Sequence, residues 1–428
     1  MTTTALWPYL VPPSGHGDDS ICAVSASGHR VTFADGSTRL DADSGLWNVN
    51  LGYGNERIAE ALAEAARNAS YLGAFRFENV YARRAADDLL RVSGPDHYSR
   101  VLFSTGGGVA NDAVMKLARI FHAAQGVPNR NLIVSLRGSF HGLTFGGFAL
   151  TGEDLGQRVY GVDQRHIRHV SPNDTAELGR LMTSLGHRVA AVIVEPVVGT
   201  GTVPLTEEYV AELGRLRDDF GYLLVADEVA TGFGRTGQYF ASESWPGRPD
   251  VLVTSKGLTN GACPAAALVM SKRVTDVLEE TDTTFAHAET QGGTALVGAA
   301  VSATIAEMER LDAVAAGRDV AAWLQQGLAE LVERHPLAHG TTGTGCFRTL
   351  HVRHADGGEL SGQDVATLVA RIRSAGALVH PGPSGIQLVP ALTYSRDDVA
   401  ELLTCIEAGI DTLTPATATV PATATATA

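Results

Sequence analysis

Between residues 99 and 270 the chain alternates short, continuous apolar runs with longer amphipathic stretches. The runs RVLF, NLIVSL, VAAVIVEP, YLLVADEV, DVLVTS and AAALVM lack the in-and-out alternation of a one-sided sheet, so they read as strands buried on both faces. One intervening stretch, EEYVAELGRLRDDFG, puts Val210, Leu213, Leu216 and Phe220 on one helical face and stops at Gly221. Buried strands alternating with helices predict an α/β fold whose mainly parallel sheet is covered on both sides. Ligands of such sheets bind beyond the carboxyl ends of the strands, so the residues that follow each run carry the functional information.

The flanks read differently. Upstream, HRVTFADGSTRLD predicts a small hairpin turning at Asp35 and Gly36, and helical patterns follow over residues 56–68 and in VYARRAADDLLRV. Downstream, TALVGAAVSATIAEMERL, VAAWLQQGLAELVERH and DDVAELLTCIEAGIDTL are helical, with shorter strand-like pieces between them, which predicts a smaller α+β unit. The expected division is an N-terminal segment at 1–55 that joins the small unit, a large domain at 56–294, a small C-terminal domain at 295–412 and a disordered tail at 413–428. That tail, ending in PATATATA, has too little apolar content to pack.

Bulk properties narrow the chemistry. A formal charge of −14 with no basic run argues against nucleic acid and anionic membranes as partners, and leaves small-molecule or peptide chemistry. Cys22, Cys263, Cys346 and Cys405 are far apart, without the spacing of a zinc site or a disulfide framework, so no metal is expected. There is no basic-then-apolar leader and no apolar stretch of about 18 residues, which predicts a soluble cytoplasmic protein.

Candidate chemistry clusters at the strand ends. After RVLF, the loop STGGGVAND opens a helix with Gly106, Gly107 and Gly108. It is either a tight turn or a cradle whose free backbone N–H groups hold a phosphate. After NLIVSL come Phe140, a core ring or a platform for a flat ligand, and His141. VIVEP delivers Glu195 to the same edge, and YLLVADEV delivers Asp227, whose carboxylate needs a cationic partner if it is buried. DVLVTS ends at Lys256, one of only three lysines in the chain. A phosphate cradle, an aromatic platform, a carboxylate for a ring nitrogen and an amine for a Schiff base are together the parts that pyridoxal phosphate uses. On this reading the glycine after Lys256 leaves room for the cofactor.

VADEVATGFGRTGQYFASE followed by PDVLVTSKGLTNG closely resembles the signature of the class III aminotransferases, pyridoxal-phosphate enzymes of fold type I. LWNVNLGYGNERIAEAL, STGGGVANDAVMKLAR, SFHG and VEPVVGTG match in the expected order, and the likeness covers roughly residues 20–410. The resemblance implies a large domain built on a seven-stranded sheet. It makes Lys256 the Schiff-base lysine and proton shuttle, and Asp227 the partner of the ring nitrogen. Phe140 and Val229 would flank the ring, Gly107 and Gly108 would hold the phosphate, and His141 and Glu195 would lie in the crevice. HAETQGGTA aligns with a segment whose threonine, here Thr290, reaches the phosphate of the neighbouring subunit, which implies a homodimer with active sites at the subunit interface.

The departures bear on the substrate. Gly108 stands where the family commonly has a phosphate-binding serine, and Phe140 where it often has tyrosine. Many members carry a carboxylate-binding arginine where this chain has Gln387, and Arg396 lies too far downstream to replace it. The expected activity is therefore ping-pong transfer of an amino group from a donor to an aldehyde or ketone that lacks a free α-carboxylate: an amine, a natural product or a modified peptide C-terminus. Trp47 and Phe77 would line the substrate entrance, with Trp7 and Tyr9 added to it, while Arg76 or Arg348 is the counter-reading for carboxylate binding. Decarboxylation, racemisation or amino-group migration on the same fold, and a non-catalytic cofactor-binding protein, are the alternatives.

Overall fold

The computed structural model describes residues 4–413; most of the tail expected at 413–428 lies outside the described residues. Seven strands form the central sheet: β1 (Tyr98–Ser104), β2 (Leu132–Leu136), β3 (Ile167–Val170), β4 (Val189–Val194), β5 (Leu223–Asp227), β6 (Val251–Thr254) and β7 (Ala266–Ser271). Their spatial order is β1-β7-β6-β5-β4-β2-β3. Only β7 runs antiparallel to its neighbours, β1 and β6. The remaining pairs are parallel.

Six of these strands coincide with the apolar runs. The reading of the runs missed β3, because IRHV is short and its Arg168 and His169 are only half-buried at the sheet edge. Along β4 successive side chains go to opposite faces. Ala191 and Ile193 pack with the helix Gly107–Ala124, and Val192 and Val194 with the helices Thr175–Leu185 and Glu207–Phe220. Burial on both faces is why these strands read as unbroken apolar runs.

The N-terminal and C-terminal parts share a core. Strands Ala23–Ser27, Arg30–Phe33 and Thr38–Asp41 form the expected hairpin and its neighbour, and the late strand Ala377–Leu378 adds parallel to Thr38–Asp41. A separate antiparallel sheet joins Ala338–Thr344, Phe347–Val352, Gly385–Leu388 and His380–Gly382. Leu40, Ile58, Val301, Leu324, Leu350 and Ile406 belong to one apolar cluster, so chain segments hundreds of residues apart close over the same side of the large sheet. No helix among the described residues is long and apolar enough to cross a membrane.

Candidate active site

Strands β5 and β6 run parallel and in register, with Asp227 beside Val253, so Asp227 and Lys256 emerge at the same edge of the sheet. Asp227 is buried, and every bond it makes orients it. Its Oδ2 accepts from Asn111 Nδ2 at 2.8 Å and faces His141 Nδ1 at 2.7 Å, while Oδ1 accepts from the Val229 amide at 3.1 Å. His141 in turn meets the Ser135 hydroxyl at 3.0 Å through Nε2. Burial pulls the imidazole pKa down, but the Asp227 hydrogen bond and charge, aided by Glu195, outweigh it and hold it above the usual range. The bonds from His141, Asn111 and the Val229 amide fix the orientation of the Asp227 carboxylate toward the crevice.

Glu195 is buried at the end of β4, where Oε2 accepts from the Phe140 amide at 3.0 Å and Oε1 from the Gly199 amide at 3.2 Å. Burial pushes its pKa up to about 7, with Asp227 adding to the rise and His141 opposing it.

Lys256 follows β6 with φ 47°, in the left-handed region, and starts the turn Lys256–Thr259. Desolvation lowers its pKa to about 8 against the upward pull of Glu195, Asp227 and Asp43. The amine is thus far closer to its nucleophilic, neutral form near neutral pH than an exposed lysine is. Its Nζ lies 4.2 Å from the centre of the Trp47 ring. A cavity of about 510 Å³ opens beside it, lined among others by Gly45, Tyr53, Thr105 and Cys263.

The glycine after Lys256 is required by the protein's own packing. A Cβ on Gly257 would sit 2.8 Å from Asn50 Nδ2 and 2.9 Å from Phe233 Cβ. That close approach lets Asn50 donate to the Phe233 carbonyl at 2.7 Å, and nearby Asn260 pairs with Leu51 and Gly52 at 2.9 Å each. The lysine turn is thereby sewn to residues 48–53.

At the other side of the crevice the helix Gly107–Ala124 begins with no side-chain cap. Its first amide groups therefore have no side-chain acceptor, as an anion cradle requires. A Cβ on Gly107 would stand 3.1 and 3.2 Å from the Val229 methyls, and one on Gly108 3.4 Å from Gly142 and from the Thr144 hydroxyl. The cradle and Val229 are therefore in near contact. An uncapped helix start, a buried aspartate and a desolvated lysine fit pyridoxal phosphate: Gly107 and Gly108 would hold its phosphate, Val229 would flank its ring, Asp227 would face the ring nitrogen and Lys256 the aldehyde.

The substrate-side residues are placed as follows. Gln387 is buried and donates through Nε2 to the Gly199 carbonyl at 2.5 Å. Trp47 packs edge-on against Phe347 and His380, at 5.0 and 5.4 Å between ring centres. Phe77 lies apart, in a groove with Phe75 and Phe103, and is 56% exposed. Thr290 is exposed, its carbonyl accepting from the Tyr71 hydroxyl at 2.9 Å. Phe140 leaves 41% of its surface open. Trp7 and Tyr9 are exposed, Arg76 stacks on Phe75, and Arg348 donates to the Gly345 carbonyl and to Gln325.

Sequence reasoning passed over Asn111, Ser135, Asp41 and Tyr53. Asn111 lay one turn beyond the glycine loop, and a polar residue on the buried face of an apolar helix was the signal for it. Asp41 and Tyr53 hold the segment that carries Trp47. In that segment Ser44, Gly45, Leu46 and Trp47 all have positive φ, at 47°, 58°, 60° and 68°, a single left-handed turn. Each non-glycine residue there costs about 1–2 kcal/mol relative to a right-handed conformation.

The Aminotransferase class-III family model matches residues 13–410. The diaminobutyrate–2-oxoglutarate transaminase of Halomonas elongata is 29% identical, covering 94% of this chain and 92% of its own. An acetylornithine aminotransferase of Bacillus subtilis is 32% identical, covering 90% and 94%. Among solved structures, an amine transaminase from an uncultivated Pseudomonas species in its PLP-bound form superposes with a TM-score of 0.91 at 28% identity, over 96% of this chain and 99% of that one. With the lysine, the aspartate and the glycine cradle in place, the chain belongs to the class III aminotransferase family and is a pyridoxal-phosphate-dependent transaminase.

Proposed function

We propose that this transaminase moves an amino group, by a ping-pong route, from an amino donor to an aldehyde or ketone without a free α-carboxylate, such as a precursor of an amine, a natural product or a modified peptide end. The observation that carries this reading is Gln387. A neutral amide occupies the position, it is buried, and its donor is engaged by the Gly199 carbonyl. Neither counter-candidate supplies a guanidinium beside Lys256: Arg76 is exposed and stacked on Phe75, and Arg348 is bound to Gly345 and Gln325. Arg235, whose charge does act on Lys256, is fully buried with Nη1 bonded to the carbonyls of Val389 and Pro390.

When bound, pyridoxal phosphate supplies an aldehyde and an electron-accepting ring. The chain's own part is positioning and proton handling. Lys256, with its lowered pKa, would hold the cofactor at its aldehyde and afterwards carry a proton at Nζ. Asp227, held by His141 and aimed by Asn111, would face the ring nitrogen and favour its protonated form. Glu195 and the Trp47 ring flank the same crevice.

A homodimer accompanies this reading. Phe75, Phe77, Val80 and Phe145 leave 54%, 56%, 71% and 71% of their surface exposed in the single chain, apolar surface that a second subunit would cover. Phe77 and Thr290 would then serve the partner's crevice.

Adding donor alone should yield a keto or aldehyde product and the pyridoxamine form of the cofactor. A screen of simple amines, ketones and peptide carbonyls against α-amino acid and keto-acid pairs then tests the substrate class. Strong turnover of several free α-keto acids as acceptors would overturn the reading; a gain of such turnover in Gln387→Arg would support it.

A further inference from the structure

We propose that Glu289 is a positioning residue for cofactor binding: it holds the corner between β1 and the glycine cradle in the geometry that receives a phosphate, and His287 and Lys116 brace it from behind. The inference rests on the assignment of Gly107 and Gly108 to the cofactor phosphate made above.

The cradle cannot hold its own shape. Gly106, Gly107 and Gly108 follow one another, and glycine is the residue with the most backbone freedom to lose. Gly106 is extended, and a Cβ on it would meet nothing within 4 Å, so no packing fixes it. The corner must therefore be gripped from its two sides. On the helix side the Thr144 hydroxyl reaches the Gly108 carbonyl at 3.1 Å and Asp112 Oδ1 at 3.0 Å. On the strand side Glu289 Oε2 accepts from both the hydroxyl and the amide of Thr105, the residue just before the glycines, with the amide at 2.8 Å.

Glu289 is itself held. Along residues 284–290 the burial alternates: Phe285, His287 and Glu289 turn inward, and Thr284, Ala286, Ala288 and Thr290 are exposed. His287 Nε2 meets Glu289 Oε1 at 3.2 Å. Lys116 Nζ donates to the Ala286 carbonyl at 2.6 Å and lies 3.4 Å from His287 Nδ1. Lys116 stands on the cradle's own helix, so this segment is tied to that helix behind the cradle and to Thr105 in front of it. Farther on, Gly292 presses against β1, where a Cβ would sit 2.9 Å from the Phe103 carbonyl.

The Glu289 side chain is only 12% exposed. Burial pushes its carboxyl up, but hydrogen bonds, those of Thr105 and His287 among them, outweigh it and hold it below the usual carboxylate range. A carboxylate thus stands beside a site for an anion. By its charge alone it would oppose the phosphate; by holding Thr105 it presets the corner and removes ordering that binding would otherwise have to supply. The two effects have opposite signs. The geometry favours the second, because both carboxylate oxygens are engaged by Thr105 and His287, and the Lys116 ammonium lies just beyond the imidazole.

The test is a fluorescence titration of the full chain, freed of cofactor, with pyridoxal phosphate and with pyridoxal, which has the ring and the aldehyde but no phosphate. Glu289→Ala should raise the Kd of pyridoxal phosphate about five-fold or more and that of pyridoxal by less than about two-fold. An equal loss for both, the mark of a merely structural role, would overturn the proposal. Tighter binding of pyridoxal phosphate, the mark of a charge effect, would overturn it as well. Lys116→Met changes an exposed side chain and keeps the idea testable if Glu289→Ala does not fold. It should weaken pyridoxal phosphate alone, by about two-fold, and wild-type binding of both ligands would overturn the brace. Gly107→Ala keeps the two readings apart: if it weakens pyridoxal phosphate and Glu289→Ala does not, the positioning role falls and the cradle assignment stands. If neither weakens it, the cradle assignment falls too.

Discussion

The Asp227 side of the crevice and the Trp47 side are built on opposite plans. Asp227 sits at the end of a regular strand, and its partners come from a helix, a strand-end loop and the adjoining backbone. The Trp47 side has four consecutive left-handed residues, held by Asp41, Ser44, Asn48 and Tyr53. The first arrangement fixes a carboxylate with ordinary secondary structure, and the second fixes a shape with a strained one. Damage to the first should register as lost chemistry and unsatisfied buried donors. Damage to the second should register as a misplaced Trp47 ring.

The largest expected effect separates chemistry from folding. Lys256→Ala should lower transamination by more than about 10²-fold, the scale of a lost proton-transfer group, and should abolish the lysine-bound cofactor band. Because the lysine is desolvated and left-handed, the cofactor-free variant should melt no lower than wild type. Asp227→Ala should behave in the opposite way. It leaves the buried His141 Nδ1 and Asn111 Nδ2 without their acceptor and should cost about 1–3 kcal/mol for each unsatisfied group in urea unfolding of the cofactor-free protein. If both variants melted alike, the contrast drawn here would fail.

Glu195 offers a pH test of intermediate size. Its folded pKa, about 7, lies above the ordinary carboxylate value of 4.5, so the folded protein holds an extra proton between those values and loses stability as pH rises through them. Above pH 7 the buried charge should cost about 3 kcal/mol in the cofactor-free protein. In Glu195→Gln one amide contact is lost, about 1 kcal/mol. The variant's melting temperature relative to wild type should therefore improve from pH 5 to pH 8, and a flat difference would contradict the burial argument.

The smallest effect belongs to the cradle. Gly107→Ala pushes a methyl to within 3.1 Å of Val229 and should weaken cofactor binding about ten-fold, or about 1.4 kcal/mol. The readout is the cofactor Kd by fluorescence titration of the cofactor-free protein.

The same contrast explains what was legible in the sequence. Asp227 and Lys256 could be read because an unbroken apolar run followed by a charged residue is a local signal, and parallel topology sends such residues to one edge. Strand β3 escaped because an edge strand need not be apolar throughout. SGLW has one glycine among four left-handed residues, and nothing in it announces the turn, since the groups that hold it include the carbonyl of Val389, 345 positions away. Gly257 was read as clearance for the cofactor for a related reason. Its neighbours, Asn50 and Phe233, are distant in the chain, and only the folded structure brings them against it. Gln387 was recognised by position, but its engagement with Gly199 was not.

That engagement reaches further than specificity. Gly199 is held on both sides of its Cα: its carbonyl takes the Gln387 amide and its N–H goes to Glu195 Oε1. By pinning Gly199, the Gln387 donor keeps that N–H aimed at Glu195, so residue 387 acts as a positioning group for a proton site it does not touch. Exchanging Gln387 for a residue that cannot donate should therefore move the pH profile of the enzyme toward higher pH, whichever acceptor is used.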